Sequence, residues 1–153
     1  MFCGTRPAAL PGPRSDTRAN ASEFDSSEVF VILVVEDDPQ VARLIALVLK
    51  RAGHECEIVA DGQTALRRAR ELKPVMIFAD LTIKGMGGDQ LCNAIKSQEE
   101  TRPIPYIVLS GDRDLAQKAR QCGADDYMGK PFEFPDLIRL VEKYAGAESR
   151  KAD

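Results

Sequence analysis

The sequence predicts an α/β domain: a doubly wound, five-stranded parallel sheet with five helices packed over both of its faces. Strand-like and helix-like segments alternate strictly from residue 29 onward, the order that right-handed crossovers produce. Three strand segments, 29–35, 75–79 and 104–109, are apolar without alternation, as strands covered on both sides must be. Two of them end in acids, Glu36-Asp37-Asp38 and Asp80, so charge collects at the strand ends and is excluded from the strand bodies.

Residues 29–35 are β-branched apart from Phe30 and Leu33, and too few to span a membrane. Asp38 and Pro39 suit the cap and first position of a helix. Val41, Leu44, Ile45 and Val48 give that helix its apolar stripe, and Gly53 ends it. Residues 54–60 alternate polar and apolar as an edge strand does, with His54, the only histidine, at the exposed start. Asp61-Gly62 reads as a turn, after which Ala65, Leu66, Ala69 and Leu72 pattern a helix that stops before Pro74. Gly85-Met86-Gly87-Gly88 reads as a flexible loop leading into a helix through Leu91, Cys92 and Ile95. Beyond the fourth strand and Ser110-Gly111, Leu115, Ala116 and Ala119 give a short helix stopped at Gly123. The final strand, 125–128, closes at Lys130-Pro131, and Phe134, Leu137, Ile138, Val141 and Tyr144 form the stripe of the last helix.

With 153 residues, 44% hydrophobic and 29% charged, the chain suits one globular domain burying roughly two thirds of its unfolded surface. A net charge of -3 and the lack of a basic stripe with interleaved aromatics argue against nucleic acid as a partner. Cys3, Cys56, Cys92 and Cys122 are scattered with no CxxC pair, which disfavours a zinc site or disulfide framework and suggests single thiols in a reducing cytoplasm. No apolar run is long enough for a transmembrane helix, and no secretory signal is visible, so no membrane association is expected. Residues 1–28, rich in proline and serine, read as a disordered tail, 29–145 as the folded domain and 146–153 as a flexible tail.

In a parallel sheet every strand ends on the same rim, so Glu36, Asp37, Asp80, Ser110 and Lys130 should meet there. Crowded carboxylates call for a hard cation such as Mg²⁺, which takes one or two protein carboxylates and keeps several waters. A carboxylate can also attack phosphorus to give an aspartyl phosphate. Mg²⁺ on Asp37 and Asp80, with Lys130 opposite, would offset the charge of an incoming phosphoryl group. Singly, Asp37 reads equally well as a helix-flanking acid, Ser110 as a turn hydroxyl, Lys130 as a solvated lysine and Tyr127 as edge packing. The joint placement of Asp37, Ser110 and Lys130 on one rim favours a site, whereas for Tyr127 edge packing and a role beside the site stay equally open.

From Val29 to Ala145 the chain resembles the receiver domain of two-component response regulators, of the stand-alone type. The resemblance rests on VVEDDP after the first strand, Asp80 after the third, Ser110-Gly111 after the fourth, and Asp126-Tyr127 with Lys130-Pro131-Phe132 at the end. It implies a flavodoxin-like strand order 2-1-3-4-5, with Asp80 as phosphoacceptor. Glu36, Asp37, Asp80 and the Thr82 main-chain carbonyl would hold Mg²⁺, Lys130 would pair with the phosphoryl group, Ser110 would be the switching hydroxyl, and Tyr127 the aromatic that follows it. The implied donor is a histidine kinase or histidine phosphotransfer protein, docking near Arg43, Leu47 and Arg51. The expected output is binding of a downstream protein, homodimerisation or phosphoryl relay, since the chain ends soon after the last helix and leaves no room there for a DNA-binding or enzymatic domain. Such a protein is no enzyme beyond assisting its own phosphoryl transfer and dephosphorylation.

Three departures stand out: Ile83-Lys84 where the family has Met-Pro, Gly87 where it has an acid, and a Ser110 to Lys130 interval about two residues short. Lys84 and the shortened interval suggest a second function, a receiver that is not phosphorylated and acts as a constitutive interaction module. A third, a flavodoxin-like FMN carrier, would need a hydroxyl- and glycine-rich loop after the first strand, and Glu36-Asp37-Asp38 would repel its phosphate.

Overall fold

Five short runs form five parallel strands in the computed structural model, which describes residues 30–146. Expectations for 1–28 and for most of 146–153 lie outside the described residues. The elements run β1 (Val31–Val35), α1 (Pro39–Arg51), β2 (Glu55–Val59), α2 (Gly62–Leu72), β3 (Met76–Asp80), α3 (Gly88–Ser97), β4 (Tyr106–Ser110), α4 (Leu115–Cys122), β5 (Asp126–Gly129) and α5 (Phe134–Val141). A π-helical turn, Glu142–Gly146, extends α5. The sheet order is β2-β1-β3-β4-β5, the expected 2-1-3-4-5.

Alternate residues of each central strand enter opposite layers, so the strands lack a polar face. On one side Leu33, Ile77, Ala79 and Tyr106 pack under α2, α3 and α4 through Ala69, Leu91, Ile95 and Ala119. On the other, Ile32, Phe78 and Ile107 pack under α1 and α5 through Ile45, Leu49, Leu137 and Val141. Each of these side chains is nearly or fully buried.

The pairing register places the site. Val35 lies beside Ala79, Asp80 beside Leu109, and Ser110 beside Gly129. Glu36, Asp80, Ser110 and Lys130 therefore occupy neighbouring positions on the last rungs of four strands, although the chain separates them. Asp38 caps α1, its Oδ1 accepting from the Gln40 N–H at 2.9 Å, with Pro39 opening the helix. Gly53, at φ +91°, ends it.

Several local expectations are corrected. Asp61-Gly62 is a helix start and not a free turn: Asp61 accepts from the Thr64 N–H at 2.8 Å and Thr64 hydroxyl at 2.9 Å, capping α2. In the Gly85–Gly88 run only the end is packed: Gly85, at φ +78°, has open space around it, whereas Gly88 opens α3 against the end of β3. A Cβ on Gly88 would stand 2.2 Å from the Asp80 carbonyl oxygen, so this glycine is required by close approach. Phe134 does not join the buried stripe of α5. It sits in the first turn with 46% of its surface exposed, bordering a groove of about 420 Å³ with Val41 and Leu44 of α1. Leu137, Val141 and Ala145 carry the burial instead.

Candidate functional site

Three apolar strands deliver acids or a hydroxyl to the rim, and the cost of burying them is met by specific partners. Glu36 is only 3% exposed. Its Oε2 accepts from the Asp38 N–H at 3.2 Å and its Oε1 from Lys130 Nζ at 2.9 Å. Lys130 reaches Asp80 as well, Nζ to Oδ2 at 2.9 Å, while Asp80 Oδ1 accepts from the Thr82 N–H at 3.1 Å. One ammonium thus bridges two carboxylates from β1 and β3.

Burial pushes the Glu36 carboxyl above the usual carboxylate range, against the downward pull of Lys130 and the Asp38 N–H. For Lys130, burial favours the neutral amine, but the bonds to Asp80 and Glu36 outweigh it and hold the ammonium above its ordinary value. Asp37, half-buried, completes the group: one carboxylate oxygen from each of Glu36, Asp37 and Asp80 lies within 4.8 Å of the others. An oxygen-only set at this spacing fits a hard divalent cation better than a soft one.

Ser110 is 6% exposed, and its Oγ accepts from the Asp112 N–H at 3.0 Å. The Asp112 carboxylate is in turn bound by Lys118 Nζ of α4 at 2.6 Å. Strand register brings Ser110 to the rim, since its carbonyl accepts from the Lys130 N–H at 2.8 Å. Thr82 is exposed beside Asp80. Tyr127, on β5, stands apart: it pairs with Val108 of β4 and leaves 44% of its surface in solvent.

Of the expected residues, Glu36, Asp37, Asp80 and Lys130 converge, Ser110 and Thr82 flank them, and Tyr127 does not join them. Sequence reasoning missed Gly88, whose bare Cα admits the Asp80 main chain, and Asp112, which holds the Ser110 hydroxyl. The first was legible as a Gly-Gly doublet eight residues after Asp80 but was taken for flexibility. The second carried no signal beyond lying two residues past a serine.

Comparison with known proteins agrees with this geometry. The family model described as response regulator receiver domain matches residues 32–142. The DNA-binding response regulator MtrA of Mycolicibacterium smegmatis is 34% identical over 112 residues, covering 72% of this chain and 48% of that protein. The chain therefore spans about half the length of the curated relatives it matches. Among solved structures, the receiver domain of sensor histidine kinase PA1611 from Pseudomonas aeruginosa PAO1, with a magnesium ion coordinated in its active site cleft, is 30% identical. It aligns with a TM-score of 0.73 over 78% of this chain and 99% of that one. The signal receiver domain of a signal transduction histidine kinase from Syntrophus aciditrophicus is 31% identical, also with a TM-score of 0.73, over 78% and 92% of the two chains.

Proposed function

We propose, from the premise that this chain belongs to the response regulator receiver family, that Asp80 accepts a phosphoryl group from a phosphohistidine and switches the protein's contacts with its partners. The observation that carries this reading is the Lys130 ammonium held 2.9 Å from both Asp80 and Glu36 at a rim that also presents Asp37.

Asp80 Oδ attacks phosphorus as the bond to the histidine nitrogen breaks, and the histidine takes up a proton as it leaves. Lys130 exchanges a carboxylate partner for a phosphoryl oxygen, so the positive charge already placed at Asp80 follows the transferred group. Ser110 turns its hydroxyl from the Asp112 N–H toward the phosphoryl group, and the exposed Tyr127 ring is free to change rotamer with it. Mg²⁺ on Asp37, Asp80 and the Thr82 main-chain carbonyl, with Glu36 acting directly or through water, would supply charge neutralisation of the phosphoryl oxygens. A coupling of about 1–3 kcal/mol between phosphorylation and partner affinity suffices for a switch of this type.

The donor is a histidine kinase or histidine phosphotransfer protein, and a downstream protein or a second copy of the chain is the target. The folded unit is residues 29–145 and works in the cytoplasm; among the described residues no helix is long and apolar enough to cross a membrane. Water attack on the acyl phosphate, assisted by the same rim, returns the protein to its starting state. The test is intact mass after treatment with a small phosphodonor, with and without Mg²⁺. The parent should gain one phosphoryl group only with the cation, and Asp80→Asn should gain none. Equal labelling of Asp80→Asn would overturn the assignment.

A further inference from the structure

A groove follows α1 and α5 along one side of the domain, from the rim that holds Asp80 to the opposite end, where the chain enters the sheet. Its upper half, about 420 Å³, has Val41, Leu44, Phe132 and Phe134 for walls. Its lower half, about 300 Å³, has Leu47, Val48, Ala52 and Ile138, and Phe134 joins the two. Leu44, Leu47 and Phe134 leave 44%, 50% and 46% of their surface in solvent, so large exposed apolar side chains gather here as they do at contact surfaces. The charged side chains lining the groove are Lys130 above and Arg51 below, both cations. Lys130 is committed to Glu36 and Asp80, which leaves Arg51, with exposed Lys50 beside it on α1, to meet whatever enters the lower half.

The sequence just before β1 is complementary to that surface. Residues 19–28 contain Glu23, Asp25 and Glu28 and no cation. Phe24 is the one large apolar residue between Leu10 and Val29, and acids bracket it. The chain also enters the sheet beside the groove. Phe30 packs into the layer under α1 and α5, Val31 pairs with Glu55, and only Ala52, Gly53 and His54 separate Glu55 from the end of α1. One strand spacing and three residue steps place Ala52 at most about 16 Å from Val31. Phe24, seven residues before Val31, reaches up to about 24 Å from it, enough to pass Ala52 and enter the lower half.

We propose that residues 23–28 of this chain dock in the lower half of the groove, with Phe24 on Leu47 and Phe134 and with Glu23 and Asp25 toward Arg51. One aromatic ring and a few solvent-screened charges make a weak contact. Tethering offsets this, because a short linker holds the segment at an effective concentration of about millimolar. The docked segment covers the α1 surface around Leu47 and Arg51. Where a phosphodonor protein uses that surface, the segment is an intramolecular competitor that the donor displaces; this consequence rests on the proposed function, whereas the docking itself does not.

The experiment puts photoreactive benzoylphenylalanine in place of Phe24 in the full chain, irradiates it and maps the products by mass. The expected product is a cross-link within one chain, to residues 47–52 or 134–138. Asp80→Asn, which takes no phosphoryl group, should give the same cross-link, so the result is read separately from phosphoryl transfer. A glutamyl endopeptidase supplies a second readout by cutting after Glu23 in the chain with Phe24 unaltered. Arg51→Glu and Leu47→Ser, which leave the cut site intact, should each be cut there at least about threefold faster than the parent, because the docked segment is released. Cuts after Glu57 and Glu71, inside the fold, should stay as slow as in the parent. Cross-links to other faces of the domain, or only between two chains, would overturn the proposal, the latter by giving the groove to a second copy. Equal cleavage after Glu23 in all three proteins would overturn it as well.

Discussion

Replacing Lys130 by methionine tests the site most directly, because it removes the charge and keeps most of the side-chain volume. The ammonium makes two contacts of 2.9 Å, to a Glu36 side chain 2% exposed and an Asp80 side chain 13% exposed. Removing one partner of a buried ion pair costs about 3–5 kcal/mol. Lys130 keeps 26% of its side chain in solvent, and water can enter beside Asp80. A loss of about 2–3 kcal/mol in metal-free protein is therefore expected, at or below the low end of the fully buried range. Its dependence on pH identifies the cause. Glu36 is already held above 4.5 by burial, and losing Lys130 raises it further. A carboxyl whose folded pKa is raised contributes stability that is complete below its unfolded pKa and is lost as pH rises through the folded value. The penalty of Lys130→Met should thus be smaller toward about pH 4, where a raised Glu36 takes up its proton more readily, than toward about pH 7. Urea unfolding midpoints at the two pH values, in the presence of a chelator, measure this. Equal penalties at both would show that the loss comes from side-chain packing, and the electrostatic account of the rim would be refuted.

Gly88→Ala should cost about 3 kcal/mol or more and displace the end of β3 that carries Asp80, because the added Cβ meets main-chain atoms at 2.2 and 2.7 Å that no side-chain rotation can clear. Denaturation together with phosphodonor labelling checks both effects, and a fully stable, fully labelled variant would contradict the packing. Tyr106→Phe removes a buried hydroxyl that donates to the Gly88 carbonyl at 2.9 Å, and thermal or urea unfolding should register a loss of about 1 kcal/mol. Asp126 sits below its ordinary range: burial raises it, but the Tyr127 N–H, the Tyr144 hydroxyl and Lys143 together outweigh burial. Its contribution is present above the unfolded pKa and is lost as pH falls through the folded one, so Asp126→Asn should flatten the acid side of the stability profile. An unchanged acid slope would remove Asp126 from the account.

The fold was legible because the three central strands announce themselves twice, by an apolar run and by the polar residue that ends it. β1 and β3 show this best: covered on both faces, they exclude every polar side chain until Glu36 and Asp80, and the rim position follows from topology alone. Glycine was harder to read. Its permitted φ and its missing Cβ look identical in sequence, so Gly85, at φ +78°, and Gly88, pressed against Asp80, were both taken as flexibility, although only the first uses conformational freedom. Asp61-Gly62 misled for a related reason, since an Asx residue before glycine suits either a turn or a helix cap. What separates the two is Thr64, whose N–H and hydroxyl both turn back to Asp61.

Side-chain partnership is the level at which the sequence falls silent, and the site depends on it. Lys130 could be assigned to the rim from its strand, yet nothing in the order of residues says that its ammonium bridges Glu36 and Asp80 simultaneously. That choice is electrostatic: three carboxylates with oxygens inside 4.8 Å repel strongly when partly buried, and one mobile cation lowers the energy most by standing between two of them. The same contact explains why Glu36 tolerates burial at all. On the proposed phosphoryl transfer to Asp80, Lys130 would be redistributed between an anion that stays and an anion that arrives, and binding energy released at the rim would be available to move the Ser110 loop, which Lys118 holds through Asp112.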